Sequence, residues 1–581
     1  MLINQSYELQ FQVHDDEKTI CFHPLHYAVL PLLNSHNIQH RFCDKITISS
    51  SESEPVIVIG DGTSGTLTTT DPNGVVNVYN NGDIAWTLAS TALVWIMIPG
   101  VGYLYSGLLR RKNALGQMYM SIMVLAVVSF QWFFWGYSLT FSETGSKYIG
   151  NLKYFSNPQT EYFALKGVLD APSMGSTRIP ALVFCVYQLM FAAITPMLAV
   201  GALAERGRLG PLPIFVFAWS TLVYDPIACW TWSANGWSFI MGGLDFAGGT
   251  PVHISSGTAA LAISIYLGKR KGWGTERLSY KPHNTSYIIL GTALLWFGWF
   301  GFNGGSALSA NLRAAQACIV TNLAASVGGL TWMLWDHRLE KKWSAVGFCS
   351  GAISGLVAIT PASGFVGAPA AVLFGVMAGT CCNLATQLKF LFGYDDTLDI
   401  FASHGIGGIV GNILTALFAQ ASVAAFDGIT VIPGGWMDHH YIQLGYQLAD
   451  SVAGVAYSFT MTTIILWVMH FIPGCRLRLG EDVSEEAQAV GMDDYDMGEF
   501  AYDYVELEQE LTGKDKDALL GVTTGGREPH HHMHQHPSHH DSPGESSSVE
   551  ERKEVASSVA GAQLRTTLGG FSQMLQAFSD Q

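Results

Sequence analysis

The sequence predicts an all-α polytopic membrane protein. Of the 581 residues, 49% are hydrophobic and only 13% are charged. Mean hydropathy is positive although both ends of the chain are polar, so the middle must be strongly apolar. The 62 glycines fit the same class, because glycine lets membrane helices approach closely.

Residues 1–82 are polar, with a Ser/Thr-rich patch from Thr47 to Thr70. The early segment CFHPLHYAVLPLL is too short and too broken to span. It also lacks the basic flank and small-residue cleavage site of a signal peptide. This region is expected to be a disordered or loosely attached extracellular extension. Asn4-Gln5-Ser6 there fits a glycosylation sequon; Asn284-Thr285-Ser286 also fits, but the expected topology puts it on the cytoplasmic side.

From Ile84 the pattern changes. Eleven apolar segments reach the roughly 20 residues needed to cross, at about 84–109, 115–141, 179–203, 211–230, 250–268, 284–304, 314–336, 343–360, 366–388, 398–420 and 444–472. The membrane domain is therefore placed at 83–473. Residues 474–517 mix polar and apolar types and are expected to fold against it. Residues 518–581, with HHHMHQHPSHH and a Ser/Glu-rich stretch, are expected to be a disordered tail.

Charge gives the direction of the chain. If the first segment runs inward, the inner loops hold Arg110, Arg111, Lys112, Arg206, Arg208, Lys269, Arg270, Lys271, Arg277 and Lys281. They also hold Arg338, Lys341, Lys342, Lys389, Arg476 and Arg478. The outer loops hold chiefly Lys147, Lys153, Lys166 and Arg178. The excess is about three to one and follows the positive-inside rule. An odd number of crossings then predicts an extracellular N-terminus and a cytoplasmic C-terminus.

The formal charge of −16 gathers largely in the tail, and no basic patch suggests nucleic acid. The nine cysteines show no CxxC spacing and read as packed thiols. No cofactor or metal is expected.

Two histidines sit inside apolar segments. His253 lies on the fifth, eight residues after Asp245; His404 lies on the tenth, just after Asp399 in TLDIFASHGIGGIVG. Five crossings separate the two histidines, so their segments run in opposite directions. An inverted repeat of five plus five helices gives this relation, with the eleventh helix left over. Ionisable groups inside a bilayer are expensive and usually have a partner or a path. The pair reads either as two packed polar side chains or as neutral imidazoles sharing and relaying a proton at mid-membrane. Asp245 reads either as a helix cap or as a bias toward cations. The aromatics Trp230, Trp232, Trp237, Trp299 and Phe302, near Ser306, Tyr187 and Phe191, read either as an interfacial belt or as a cation–π cage.

DFAGGTPVHISSG, with VGALAER, GWFGFNGGS and DIFASHGIGGIVG in order, resembles the Amt/MEP/Rh ammonium transporters over about residues 83–510. TWSANGW and TPVHI resemble the fungal ammonium permeases most, and a histidine at 253 resembles their high-affinity, sensor-like branch. The resemblance implies an outer ammonium site at Trp232, Phe191, Ser306 and Asp245. It implies a gate at Phe191 and Phe302, and a pore with the twin histidines His253 and His404. It implies eleven-helix protomers joined as homotrimers in the plasma membrane, with one pore each. GEDVSEEAQAVGMDDYDMGEFAY resembles the family's cytoplasmic motif, a place for regulators or kinases.

The expected activity is electrogenic ammonium transport, with methylammonium as an analogue: the cation binds outside, loses its proton, and crosses as ammonia. A role in ammonium sensing stays open, as do an electroneutral ammonia channel of the Rh type and a receptor with little transport. An intramembrane enzyme is not expected, because no nucleophile, metal cluster or cofactor loop accompanies Asp245 and His253.

Overall fold

The computed structural model describes residues 59–60, 65–70, 74–152, 162–275 and 281–502. Residues 1–58 with the first sequon, the distal part of 474–517, and the histidine-rich tail lie outside the described residues.

The described residues begin with an antiparallel sheet of β1 (Ile59–Gly60), β2 (Thr66–Thr70) and β3 (Val76–Asn80), in the order β1-β2-β3. Thr66 pairs with Asn80 and Thr70 with Val76. This corrects the expectation of disorder for that part of 1–82. The alternation in VNVYN buries Tyr79, whose hydroxyl donates to the Asp170 carbonyl. One residue later Asn80 caps the first long helix by accepting the Asp83 N–H at 3.0 Å.

Eleven long helical segments follow. They are α1 (Asn81–Leu108), α2 (Arg111–Phe141), α3 (Ala181–Leu203), α4 (Leu212–Met241, broken at 233–236), α5 (249–267), α6 (Thr285–Gly304), α7 (Leu312–Glu340), α8 (Ala345–Ala362), α9 (Ala368–Phe392), α10 (Phe401–Phe418) and α11 (Gln443–Phe471). Ten of these, all but α5, are long and apolar enough to cross a membrane, among the described residues. The expected eleventh crossing is present as a helix, but Thr250, His253, Ser255, Ser256, Thr258 and Ser264 dilute its hydropathy. All six of these side chains are buried inside the protein rather than turned outward.

Polarity thus faces inward and apolar side chains face out. Trp95, Phe130, Phe297, Leu334 and Trp467 are exposed, as lipid-facing positions require. At the centre, α5 and α10 cross at closest approach where Gly257 meets Gly405. A Cβ on Gly257 would lie 2.2 Å from the Gly405 nitrogen, so only glycine permits this crossing.

After α11 the chain turns back under the bundle through α12 (Glu481–Val490) and α13 (Met492–Met497). The Asp493 carboxylate accepts the Leu115 and Gly116 N–H groups at 2.9 and 2.8 Å. Lys112 donates to the Gln488 and Ala489 carbonyls. At the same end Asn284, the second sequon residue, caps α6 and donates to the Tyr502 hydroxyl, so its side chain is already engaged.

Candidate functional site

Three of the residues singled out by sequence lie on π-helical turns. His253 lies on Gly249–Ile254, Phe302 on Phe300–Gly304, and His404 on Phe401–Ile406. Such turns widen the helix locally and recur at functional positions. Here they aim three side chains at one axis.

The axis begins at Trp232, at the end of α4. Its ring stands edge-on to Phe191 of α3, with centroids 5.7 Å apart and planes at 87°. Phe191 lies 4.3 Å from Phe302 of α6. Phe302 stacks on His253 at 6.0 Å and 19°. The imidazoles of His253 and His404 come next, with Nδ1 atoms 3.3 Å apart. Phe191, Phe302 and both histidines are at most 4% exposed, whereas Trp232 is half-buried. The rings therefore form one column from a half-buried end to a buried interior.

Beneath Phe302 lies a narrow enclosed cavity, holding about one water-sized sphere, lined by both histidines, Trp299, Val252, Leu198, Ile353 and other apolar side chains. His253 Nε2 is buried with no hydrogen-bond partner. A buried polar atom left unpaired is costly unless something visits it. Trp299 is neither a belt residue nor part of an outer cage. It instead stacks on His253 at 5.6 Å and donates its indole N–H to Thr360 Oγ1 at 3.0 Å. Spacing could not reveal this, because both partners lie far away in the chain.

Ser306 lies beside the Phe191–Phe302 pair. Its hydroxyl donates to the Phe302 carbonyl at 2.8 Å and stands 3.3 Å from the Tyr187 hydroxyl. Its oxygen keeps acceptor capacity for a cation N–H.

Asp245 does not reach into the column with its carboxylate. The two oxygens accept the N–H groups of Gly248, Gly249 and Thr250 at 2.7, 2.7 and 2.8 Å, capping α5. Its main-chain carbonyl accepts the Trp232 indole N–H at 3.2 Å. Of the two roles open for this acid, the geometry is that of a cap which also holds Trp232.

The second half mirrors this with a different acid. Asp399 is bound at both oxygens by Lys389, at 2.7 and 2.8 Å. Asp396 instead accepts the Phe401 N–H at 2.8 Å, at the start of the turn that carries His404. Asp396 precedes His404 by eight residues, as Asp245 precedes His253. The counterpart of Asp245 is therefore Asp396.

At the tail end an ionic cluster closes the bundle. Glu205 accepts from Arg110, Asn113 and Arg270, and Asp395 accepts from Arg270 and Arg206. Burial opposes ionisation of Glu205, but the Arg110 and Arg270 guanidinium groups overcome it and hold the carboxyl below the usual range. Among the described residues, no three His, Cys, Asp or Glu side chains are grouped to hold a metal ion.

Comparison with known proteins decides the family. Residues 85–502 match the model of the Ammonium Transporter Family. The chain belongs to the ammonium transporter family. A curated member, ammonium transporter 1 of Schizosaccharomyces pombe, is 56% identical over 427 residues, covering 73% of this chain and 83% of that protein. Ammonium transporter MEP2 of Saccharomyces cerevisiae is 48% identical over 451 residues, covering 76% and 87%. The crystal structure of Candida albicans Mep2 superposes with a TM-score of 0.66 at 52% identity, covering 71% of this chain and 90% of that one. This ammonium transporter family member is thus a multi-pass helical membrane protein of the fungal permease type, and its relatives are named as transporters rather than enzymes.

Proposed function

We propose that this chain carries ammonium across the membrane by separating the cation from its proton. Ammonium and potassium are similar in size and charge, so a sieve alone cannot tell them apart; ammonium alone has a proton to give. The cation sheds water against Trp232, Phe191 and Ser306, where ring faces and a hydroxyl oxygen replace its hydration. Asp245 contributes negative potential while it fixes the loop that carries this site. The paired rings of Phe191 and Phe302 interrupt a continuous file of water. The cavity below is apolar and disfavours the charged form.

Ammonia then passes His253 and His404, whose neutral faces offer hydrogen bonds in an otherwise dry path. The proton returns outside or follows the histidines. Potassium has no neutral form and is excluded. The same reading assigns eleven crossings, an extracellular N-terminus, a cytoplasmic tail, a homotrimer and residence in the plasma membrane.

The observation that carries the proposal is the unbroken column from Trp232 to the two buried histidines, which line a small apolar cavity, and one of which has an imidazole nitrogen without a partner. The test is the charge displaced by an ammonium pulse on the purified protein in a planar supported membrane, with an equal potassium pulse as control. A transient with ammonium alone supports electrogenic transport. Ammonia uptake without charge supports an electroneutral channel instead. Neither signal from folded protein supports a receptor.

A further inference from the structure

The helix left over from the repeat, α11, carries an unusual face. Its buried positions begin Gln443, Gln447, Asp450, Ser451, Gly454, Ser458 and Thr462, which recur at helical spacing on one side. A lipid-embedded helix has no reason to bury a wholly polar or small stripe unless each group meets a partner.

The upper half of the stripe meets the loop that carries Asp245. Gln443 Nε2 donates to the Gly242 carbonyl at 2.9 Å. Gln447 grips the main chain of Leu244 twice: its Oε1 accepts the Leu244 N–H at 2.8 Å and its Nε2 donates to the Leu244 carbonyl at 2.7 Å. The Asp450 carboxylate accepts the Ser238 hydroxyl at 2.5 Å and the Thr250 hydroxyl on its other oxygen. Asn412 of α10 donates to Thr250 Oγ1 at 2.8 Å and to Ser451 Oγ at 2.9 Å. Gly454 leaves room for Thr250, whose Cγ2 would sit 2.6 Å from an added Cβ. The 242–250 segment is thus held by α11 at Gly242, Leu244 and Thr250.

We infer that the Gln447–Asp450 face of α11 is a positioning clamp that sets substrate affinity by holding the 242–250 loop. Leu244, gripped by Gln447, is followed directly by Asp245, whose carbonyl holds the Trp232 indole and whose carboxylate caps the helix of His253. A shift at Leu244 moves Trp232 and the cap together. Neither Gln447 nor Asp450 touches substrate; both act through the loop. This rests on the reading of Trp232 and Asp245 as the outer ammonium site.

The test compares full-length wild type, Gln447→Leu, Gln447→Glu, Asp450→Asn and Ser458→Ala. Ser458→Ala removes a bond of the same stripe, to the Ser255 carbonyl, but below the loop. Ammonium-evoked charge is titrated to give an apparent KM and a maximal signal. Gln447→Leu should raise KM about tenfold with the maximal signal within about threefold. Gln447→Glu keeps only the acceptor half of the grip and should fall between. Ser458→Ala should stay within about twofold in KM. An unchanged KM in Gln447→Leu, or an equal rise in Ser458→Ala, overturns the inference. If Gln447→Leu does not purify as folded protein, Gln447→Glu and Asp450→Asn carry the same comparison. A wild type without saturable ammonium charge defeats the functional reading, not the clamp. The clamp is then read by hydrogen exchange: amides 244–250 should exchange faster in Gln447→Glu than in Ser458→Ala, and equal rates overturn it.

Discussion

His253 and His404 stand 151 residues apart in the chain, yet their Nδ1 atoms face each other at 3.3 Å. One hydrogen fits between two ring nitrogens at that distance, so one imidazole donates and the other accepts. The arrangement depends on two π turns and on the Gly257–Gly405 crossing beside it.

This geometry makes the pair replaceable only as a unit. Replacing both histidines by leucine should keep the fold, since the cavity around them is apolar, while removing the imidazole pair from it. The ammonium-evoked charge should fall at least about tenfold or lose its discrimination against potassium. Normal, potassium-excluding transport by the double variant would show that the two imidazoles only pack.

Asp245 is satisfied by three main-chain N–H groups, so its removal should act first on structure. Charge-assisted hydrogen bonds contribute about 1.5–3 kcal/mol each. Asp245→Ala should therefore lower the thermal midpoint in detergent and reduce transport below about one tenth. Asp245→Asn, which keeps one acceptor oxygen, should recover much of the midpoint. If Asp245→Ala melts like wild type but does not transport, the carboxylate acts on the cation rather than as a cap.

The apolar segments, the two histidines and the likeness of DFAGGTPVHISSG to a family are all local, and they were legible in the sequence. What escaped was whatever depends on distant partners. Gln447 and Asp450 look like stray polar residues in a crossing until Leu244, Ser238 and Thr250, some 200 residues upstream, are brought against them. Asp399 drew attention for standing just before His404, but Lys389 claims it, and Asp396 has the capping role. Trp299 could be belt or cage from its sequence alone, and only the approach of His253 and Thr360 from distant segments gives it a place beside the histidines. The strand VNVYN was hidden in a polar stretch, and of its five residues Tyr79 alone is buried.

The Glu205 cluster gives a pH signature. Its carboxyl is held below the ordinary range, so its contribution is present above the unfolded value, about 4.3, and is lost as pH falls through the lower folded value. The cluster should therefore add constant stability from about pH 6 to 8. Glu205→Gln leaves Arg110 and Arg270 without their shared counter-charge and should cost about 3 kcal/mol or more at pH 7. The gap in thermal midpoint between variant and wild type should narrow below about pH 4. A gap that is the same at pH 7 and in acid would mean that the loss is steric.

The tail offers a last test, because Asp493 does for α2 what a helix normally does for itself. The α-helical run of α2 starts at Ala114, and the Asn113 side chain makes no capping bond there. Its first N–H groups at Leu115 and Gly116 find their acceptor in Asp493, some 380 residues later. The carboxylate also meets the positive end of the helix dipole. Losing such a cap costs about 1 kcal/mol, which corresponds to about fivefold easier opening. Asp493→Ala should accordingly speed hydrogen exchange at Leu115 and Gly116 by about that factor. Met492 and Lys112 bind within the same contact, so exchange should also quicken along 487–497. Exchange unchanged at both places would show that the tail is held by Lys112 and Asn113, and by the Leu209 N–H that Asp496 accepts at 2.8 Å, without Asp493. Faster exchange at α2 alone would make Asp493 a cap but not an anchor.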